Sequence, residues 1–149
     1  TSNDMFITGI QLEVDHTGSG VATDFEHRSF GQELELCKRY YQVLVDAATK
    51  ADESFGNATA YNSSTIHFVT PLRPEMRTSP TLDYVTGNNY YAAHYNNTYD
   101  AFNSWTIADN SHVRAVDMYA DSGVSVTAGY SVLLRTNNSS AKISFSAEL

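Results

Sequence analysis

The sequence predicts an all-β fold, mainly an antiparallel sandwich or jelly-roll-like arrangement, with one short α-helix near residues 31–39. Three observations carry that expectation. Thr, Ser and Asn number 15, 16 and 11, so 42 of 149 residues are small hydroxyl or amide side chains, beside ten Tyr. Such residues suit pleated, half-buried surfaces and tight turns better than long helices. Apolar residues recur with period two in several segments, and with helical period in only one. At 42% apolar composition the chain can fill a core, which argues against disorder, and its length suits a single domain.

The segment Phe6–Val14 alternates apolar and polar residues from Ile10 to Val14, as a half-buried strand does. It starts almost without preamble behind Thr1, which implies a fragment or processed product of a longer chain. Asp15 to Gly20 form a turn-rich loop. Ser29 and Gln32 then have the spacing of a capping box, the Ser hydroxyl accepting from a backbone N–H and the Gln reaching back. Phe30, Leu34, Cys37 and Tyr41 follow at i, i+4, i+7 and i+11, one helical face. Glu33 and Glu35 near the start and Lys38 and Arg39 near the end match the helix dipole, and Glu35 can pair with Arg39. These signals place a helix at Gly31–Arg39. Cys37 reads as a small apolar member of a buried stripe.

Strands are expected at Tyr41–Val45, Thr65–Val69, Thr81–Val85, Val113–Ala120, Val124–Leu134 and Lys142–Leu149. In the last, Ile143, Phe145, Ala147 and Leu149 alternate with polar partners. The polar, Gly- and Asn-bearing stretch from Lys50 to Ser64 reads as a loop. Pro71, Pro74 and Pro80 mark an extended connection or an edge, since proline cannot donate to a ladder. Tyr90 to Trp105 has no clean period. The clusters Asp121-Ser122-Gly123 and Thr136 to Ser140 suggest two hairpins. The count is about seven strands, with no internal repeat.

Composition also excludes function classes. Nine Lys and Arg against 17 Asp and Glu give a net charge of −8, and only three residues are Lys. Nucleic acid and anionic membrane both demand clustered positive charge, so neither is an expected partner. No apolar run approaches a membrane helix of roughly 20 residues, and no signal segment opens the chain. Cys37 is alone and cannot form an intrachain disulfide. No nucleophile elbow, zinc-protease helix, phosphate loop or CxxC pair occurs, so no catalytic residue, cofactor or metal site is assigned. The five His are scattered, and Asp52-Glu53 and the group Asp109, Asp117 and Asp121 read as loop acids. Glu26-His27-Arg28 reads as an ion-paired helix entrance.

The candidate recognition residues are Tyr90, Tyr91, His94, Tyr95, Asn96, Tyr99 and Trp105. Tyr rings stack on the apolar faces of sugars and Asn amides both donate to and accept from hydroxyls. Tyr also provides large contact area at low rotamer cost. The same Tyr could instead pack a core or a subunit interface, and both alternatives stand at this point.

Three segments together resemble a known family. Ile10-Gln11-Leu12-Glu13-Val14 followed by Ala22 to Tyr41, with Phe25-Glu26-His27-Arg28-Ser29 and Glu33-Leu34-Glu35-Leu36-Cys37-Lys38-Arg39-Tyr40-Tyr41, is similar to the long signature of C-terminal domains in bacteriophage fibre and other virion appendage proteins, of the marine and cyanophage type. Pro71-Leu72-Arg73 with Met76-Arg77-Thr78-Ser79-Pro80-Thr81, and the closing Phe145-Ser146-Ala147-Glu148-Leu149, resemble two shorter elements of that family. The likeness runs from about residue 6 to 149. It departs at Asp15 to Gly20, where a longer loop replaces a glycine turn, and at Asp24, where the family has Pro. The resemblance implies that residues 1–149 are a single, non-enzymatic, β-rich distal domain on a virion. It further implies a homotrimer, joined to other virion proteins through an upstream part, with the Phe25–Arg28 segment and the helix as a folding or trimer-contact element. Host-surface glycan is then the expected partner for adsorption. The alternative is a capsid-decorating or head-fibre knob with an assembly role. A depolymerase is disfavoured by the length and the lack of repeats.

Overall fold

A computed structural model describes residues 27–48 and 50–148, together with Val14, Gly18, Gly20, Val21 and Asp24. Residues 10–13 of the expected strand from Ile10 to Val14, most of the loop after it, Phe25, Glu26 and Leu149 lie outside the described residues. Within them the chain forms one helix, α1 (Phe30–Lys38), and ten strands: β1 (Tyr41–Asp46), β2 (Ser54–Ala60), β3 (Ile66–Pro71), β4 (Thr81–Tyr84), β5 (Tyr91–Tyr95), β6 (Thr98–Phe102), β7 (Thr106–Ile107), β8 (Ala115–Ala120), β9 (Ser131–Thr136) and β10 (Lys142–Ser146). All pairings are antiparallel. One sheet has the order β1-β10-β4 and the other β6-β5-β9-β2-β3-β8-β7. The all-β sandwich with a single short helix is thus the observed fold.

Local signals place α1 well. The Ser29 hydroxyl accepts from Gln32 N–H at 3.3 Å and the Gln32 side chain accepts from Ser29 N–H at 2.9 Å, a complete capping box. Two expectations about this helix are corrected. Glu35 pairs with Lys38 at 2.7 Å, one position short of Arg39. The stripe is not buried either: Phe30 is 83% exposed, Leu34 and Tyr41 each 41%, and Cys37 is an exposed free thiol. Periodicity shows that a face is apolar, and says nothing of whether this chain covers it. Arg28 bonds Glu33 at 3.1 Å, in keeping with an ion-paired helix entrance.

The core joins both sheets. Val45, Ile143 and Phe145 from the smaller sheet pack with Ile66, Phe68, Tyr91, Val116, Met118, Val132 and Leu134 from the larger. Strand β2 is central to the larger sheet, which corrects the expected loop over Lys50–Ser64. Its inward residues are Ala58 and Ala60, both buried and too small to signal a core strand, and its Gly56 faces the Phe68 ring. A Cβ at Gly56 would overlap that ring, so only glycine leaves the space. Pro71 ends β3 past the point where β2 pairs with it, so its missing N–H leaves no ladder bond unmade.

Both expected hairpins are corrected. The turn after β8 leads to a strand that pairs with β2 and β5, and the turn after β9 leads into the other sheet. The expected strand Val124–Leu134 begins only at Ser131. Val124 and Val126 are buried, yet they lie in an irregular segment whose Val126 N–H donates to Ser63 O. The consecutive strands that do pair are β2–β3, β5–β6 and β7–β8, and β5–β6 lies inside the region without a clean period.

Candidate functional site

The β5–β6 hairpin turns at Asn96 and Asn97, with φ of 43° and 58°. Two successive positive φ values are what a two-residue hairpin turn requires, and Asn tolerates them better than most residues. Inward along β5 point Tyr91, Ala93 and Tyr95; outward point Ala92 and His94. Opposite His94 stands Tyr99, and their rings stack at 5.2 Å with 20° between planes. Tyr99 is 59% exposed and Asn96 and Asn97 are exposed. A shallow depression of about 410 Å³ lies among His94, Tyr95, Asn96, Asn97, Thr98, Tyr99 and Leu133.

The hairpin is braced from behind. Tyr95 Oη donates to Ser125 O at 3.0 Å and its ring meets Tyr130 edge-on. Asp100 accepts from Ser125 N–H. The tip therefore presents a fixed aromatic pair with two flanking amides, suited to stacking on an apolar ring face and to bonding hydroxyls.

The seven candidate residues do not gather in one place. His94, Asn96 and Tyr99 meet at the tip, with Tyr95 half-buried as their support. Tyr91 and Trp105 are corrected: they are 0% and 3% exposed and sit in the core, their rings 6.1 Å apart, with Phe102 against both. Tyr91 Oη donates to Val85 O at 2.6 Å and Lys142 O at 3.0 Å, tying one sheet to the other, and burial pushes its phenol pKa upward. Tyr90 is half-buried over Gly87 at the far end of β5, roughly 20 Å along the strand from the turn. For these three the structural alternative holds.

His94 carries a pH consequence. Burial, aided by the positive charge of Arg135, lowers its pKa below the ordinary 6.5, while Asp52 opposes the shift. The folded protein therefore resists protonation that the unfolded chain accepts, so this contribution to stability is present above pH 6.5 and is lost as pH falls through the lower folded value. The urea midpoint should drop on acidification below pH 6.5, and His94→Asn should flatten part of that drop; an identical pH profile in the variant would contradict it.

A second surface lies at α1 and the start of β1. Phe30, Leu34, Leu36, Tyr40, Tyr41 and Val43 are all at least 40% exposed, a concentration of apolar residues that soluble monomers rarely leave bare. A depression of about 490 Å³ runs between Leu34, Cys37, Tyr41 and Val43, with Lys38 and Arg73 at its rim.

A third grouping, on the outward face of β3 and β8, escaped the sequence reading. His67, Asp117 and Tyr119 come together only because these two strands pair. Asp117 lies on β8, inside the expected strand Val113–Ala120. The one available signal was that His67 and Tyr119 fall at outward positions of their strands.

Among the described residues no group of three or more His, Cys, Asp or Glu could hold a metal ion, and no helix is long and apolar enough to cross a membrane. Comparison of the chain with protein-family models, curated proteins and solved structures finds no match.

Proposed function

We propose that this chain is the distal domain of a bacteriophage fibre or tail-tip protein, a non-enzymatic homotrimer on the virion that touches host-surface glycan through the tip of the β5–β6 hairpin. The observation that carries the reading is the stack of the exposed Tyr99 ring on His94 beside Asn96 and Asn97 on a braced hairpin. Aromatic faces and side-chain amides in fixed positions are what a pyranose ring and its hydroxyls require. Each such contact is shallow and weak, and three copies on one trimer would multiply weak contacts into avidity. The apolar α1–β1 surface supplies the trimer contact, and its burial must outweigh the repulsion of three chains at −8 each, −24 in all. The resemblance of the Ala22–Tyr41 segment and of the chain's two later motifs to virion appendage domains supports the same assignment, with other virion proteins attached through an upstream part.

The labelled protein on an array of bacterial surface glycans tests it. Wild type should hold at least one glycan, and Tyr99→Ala together with Asn96→Gly, which keeps the positive-φ turn, should reduce that signal at least tenfold, on the order of 1.4 kcal/mol for two lost contacts. Retention of an undiminished signal by the double variant would remove the hairpin from the account. The capsid-decorating alternative is favoured by one observation, the breadth of the apolar surface at α1, which fits an assembly role without any receptor. Density placing the domain on the capsid shell, with no glycan held by the array, would select it.

A further inference from the structure

On the outward face of the larger sheet, β3 and β8 pair His67 with Tyr119 and Val69 with Asp117. The His67 and Tyr119 rings stack at 5.4 Å with 22° between planes, and the Tyr61 ring meets His67 at 5.4 Å and 60°. Tyr61 is 73% exposed and Val69, two residues along β3 from His67, 62%, so an aromatic and an aliphatic surface stand open on this face. Asp117, only 16% exposed in its side chain, holds His67 Nδ1 at 3.1 Å, with Asn110 Nδ2 at 3.4 Å from its other oxygen.

A carboxylate only accepts, so in the neutral ring the proton sits on Nδ1 and Nε2 is left as a second acceptor. We propose that Tyr61, His67, Val69, Asp117 and Tyr119 form a second saccharide site, which takes an uncharged pyranoside. The site is rich in acceptors and carries a negative charge. It therefore matches the O–H donors of a sugar and repels carboxylated or phosphorylated ones. The open Tyr61 ring and Val69 offer apolar contact to the C–H face of the same ring. His67 Nε2 and the remaining lone pairs of Asp117 accept two of its hydroxyls. The site shares its ligand class with the proposed function but none of its residues, so the two can fail separately.

The test is amide chemical-shift mapping of the intact chain with methyl glucoside, galactoside, mannoside and N-acetylglucosaminide, and with glucuronate as the charged comparison. At least one neutral glycoside should shift His67, Asp117 and Tyr119 in a saturable way, and glucuronate should not. Tyr61→Ala, at an exposed position, should weaken that binding roughly three- to tenfold, the worth of one stacked ring. Asp117→Asn should weaken it as well while the rest of the spectrum stays folded, and Tyr99→Ala should leave it unchanged. The proposal is overturned if no neutral glycoside shifts these residues, if glucuronate binds as well, if both site variants bind like wild type, or if Tyr99→Ala abolishes the shifts.

Discussion

Tyr91→Ala should lower the unfolding free energy by about 3–5 kcal/mol, the usual cost of emptying a fully buried aromatic site. Tyr91 packs against Phe55, Phe102, Tyr84 and Trp105, and its hydroxyl bonds two carbonyls of the opposite sheet side. Tyr91→Phe isolates the second contribution. Lys142 O keeps a partner in Val85 N–H, whereas Val85 O loses the Tyr91 hydroxyl, so about 1–2 kcal/mol is expected. Urea unfolding followed by the fluorescence of Trp105, the one tryptophan, reads both variants. A cost below about 1 kcal/mol for Tyr91→Ala would mean that the ring does not hold the sheets together. The expectation also bears on recognition: any loss of glycan binding in a Tyr91 variant reports unfolding, and only the exposed Tyr99 tests contact.

If the proposed trimer is held by α1 and β1, Leu34→Asp combined with Tyr41→Asp should dissociate it into chains of 16.5 kDa. Both residues are 41% exposed on the isolated chain, and neither belongs to the buried core. Each substitution should therefore change the stability of the single chain by less than about 1 kcal/mol while placing a charge in the middle of an apolar contact. Sedimentation velocity distinguishes this from a role for the hairpin, since Tyr99→Ala should leave the oligomeric mass unchanged. An unaltered mass in the α1 double variant would free this surface from the trimer contact.

What was legible in the sequence was local. The capping box at Ser29 and Gln32 depends on three-residue spacing, and β1, β3, β4 and β8 show their period or end at a Pro or Gly signal. What escaped depends on long-range pairing. Strand β2 was hidden because Ala58, Ala60 and Gly56 occupy its inward side, where the neighbouring Phe68 supplies the bulk. In β5, aromatic residues lie on both faces, Tyr91 and Tyr95 inward and His94 outward, so no alternation of polarity survives. The turn clusters at Asp121 and Asn137 look like hairpin turns locally, yet β9 and β10 find partners far along the chain. The candidate recognition residues split for the same reason. Composition identified a Tyr- and Asn-rich stretch, but which rings face water was decided by the register of β5 against β9.

The most direct test is the native mass of the unmodified chain by sedimentation equilibrium. The expected result is a single species at three times 16.5 kDa, held by the apolar surface of α1 and β1. A monodisperse monomer at 16.5 kDa across the accessible concentration range would contradict the trimeric appendage domain.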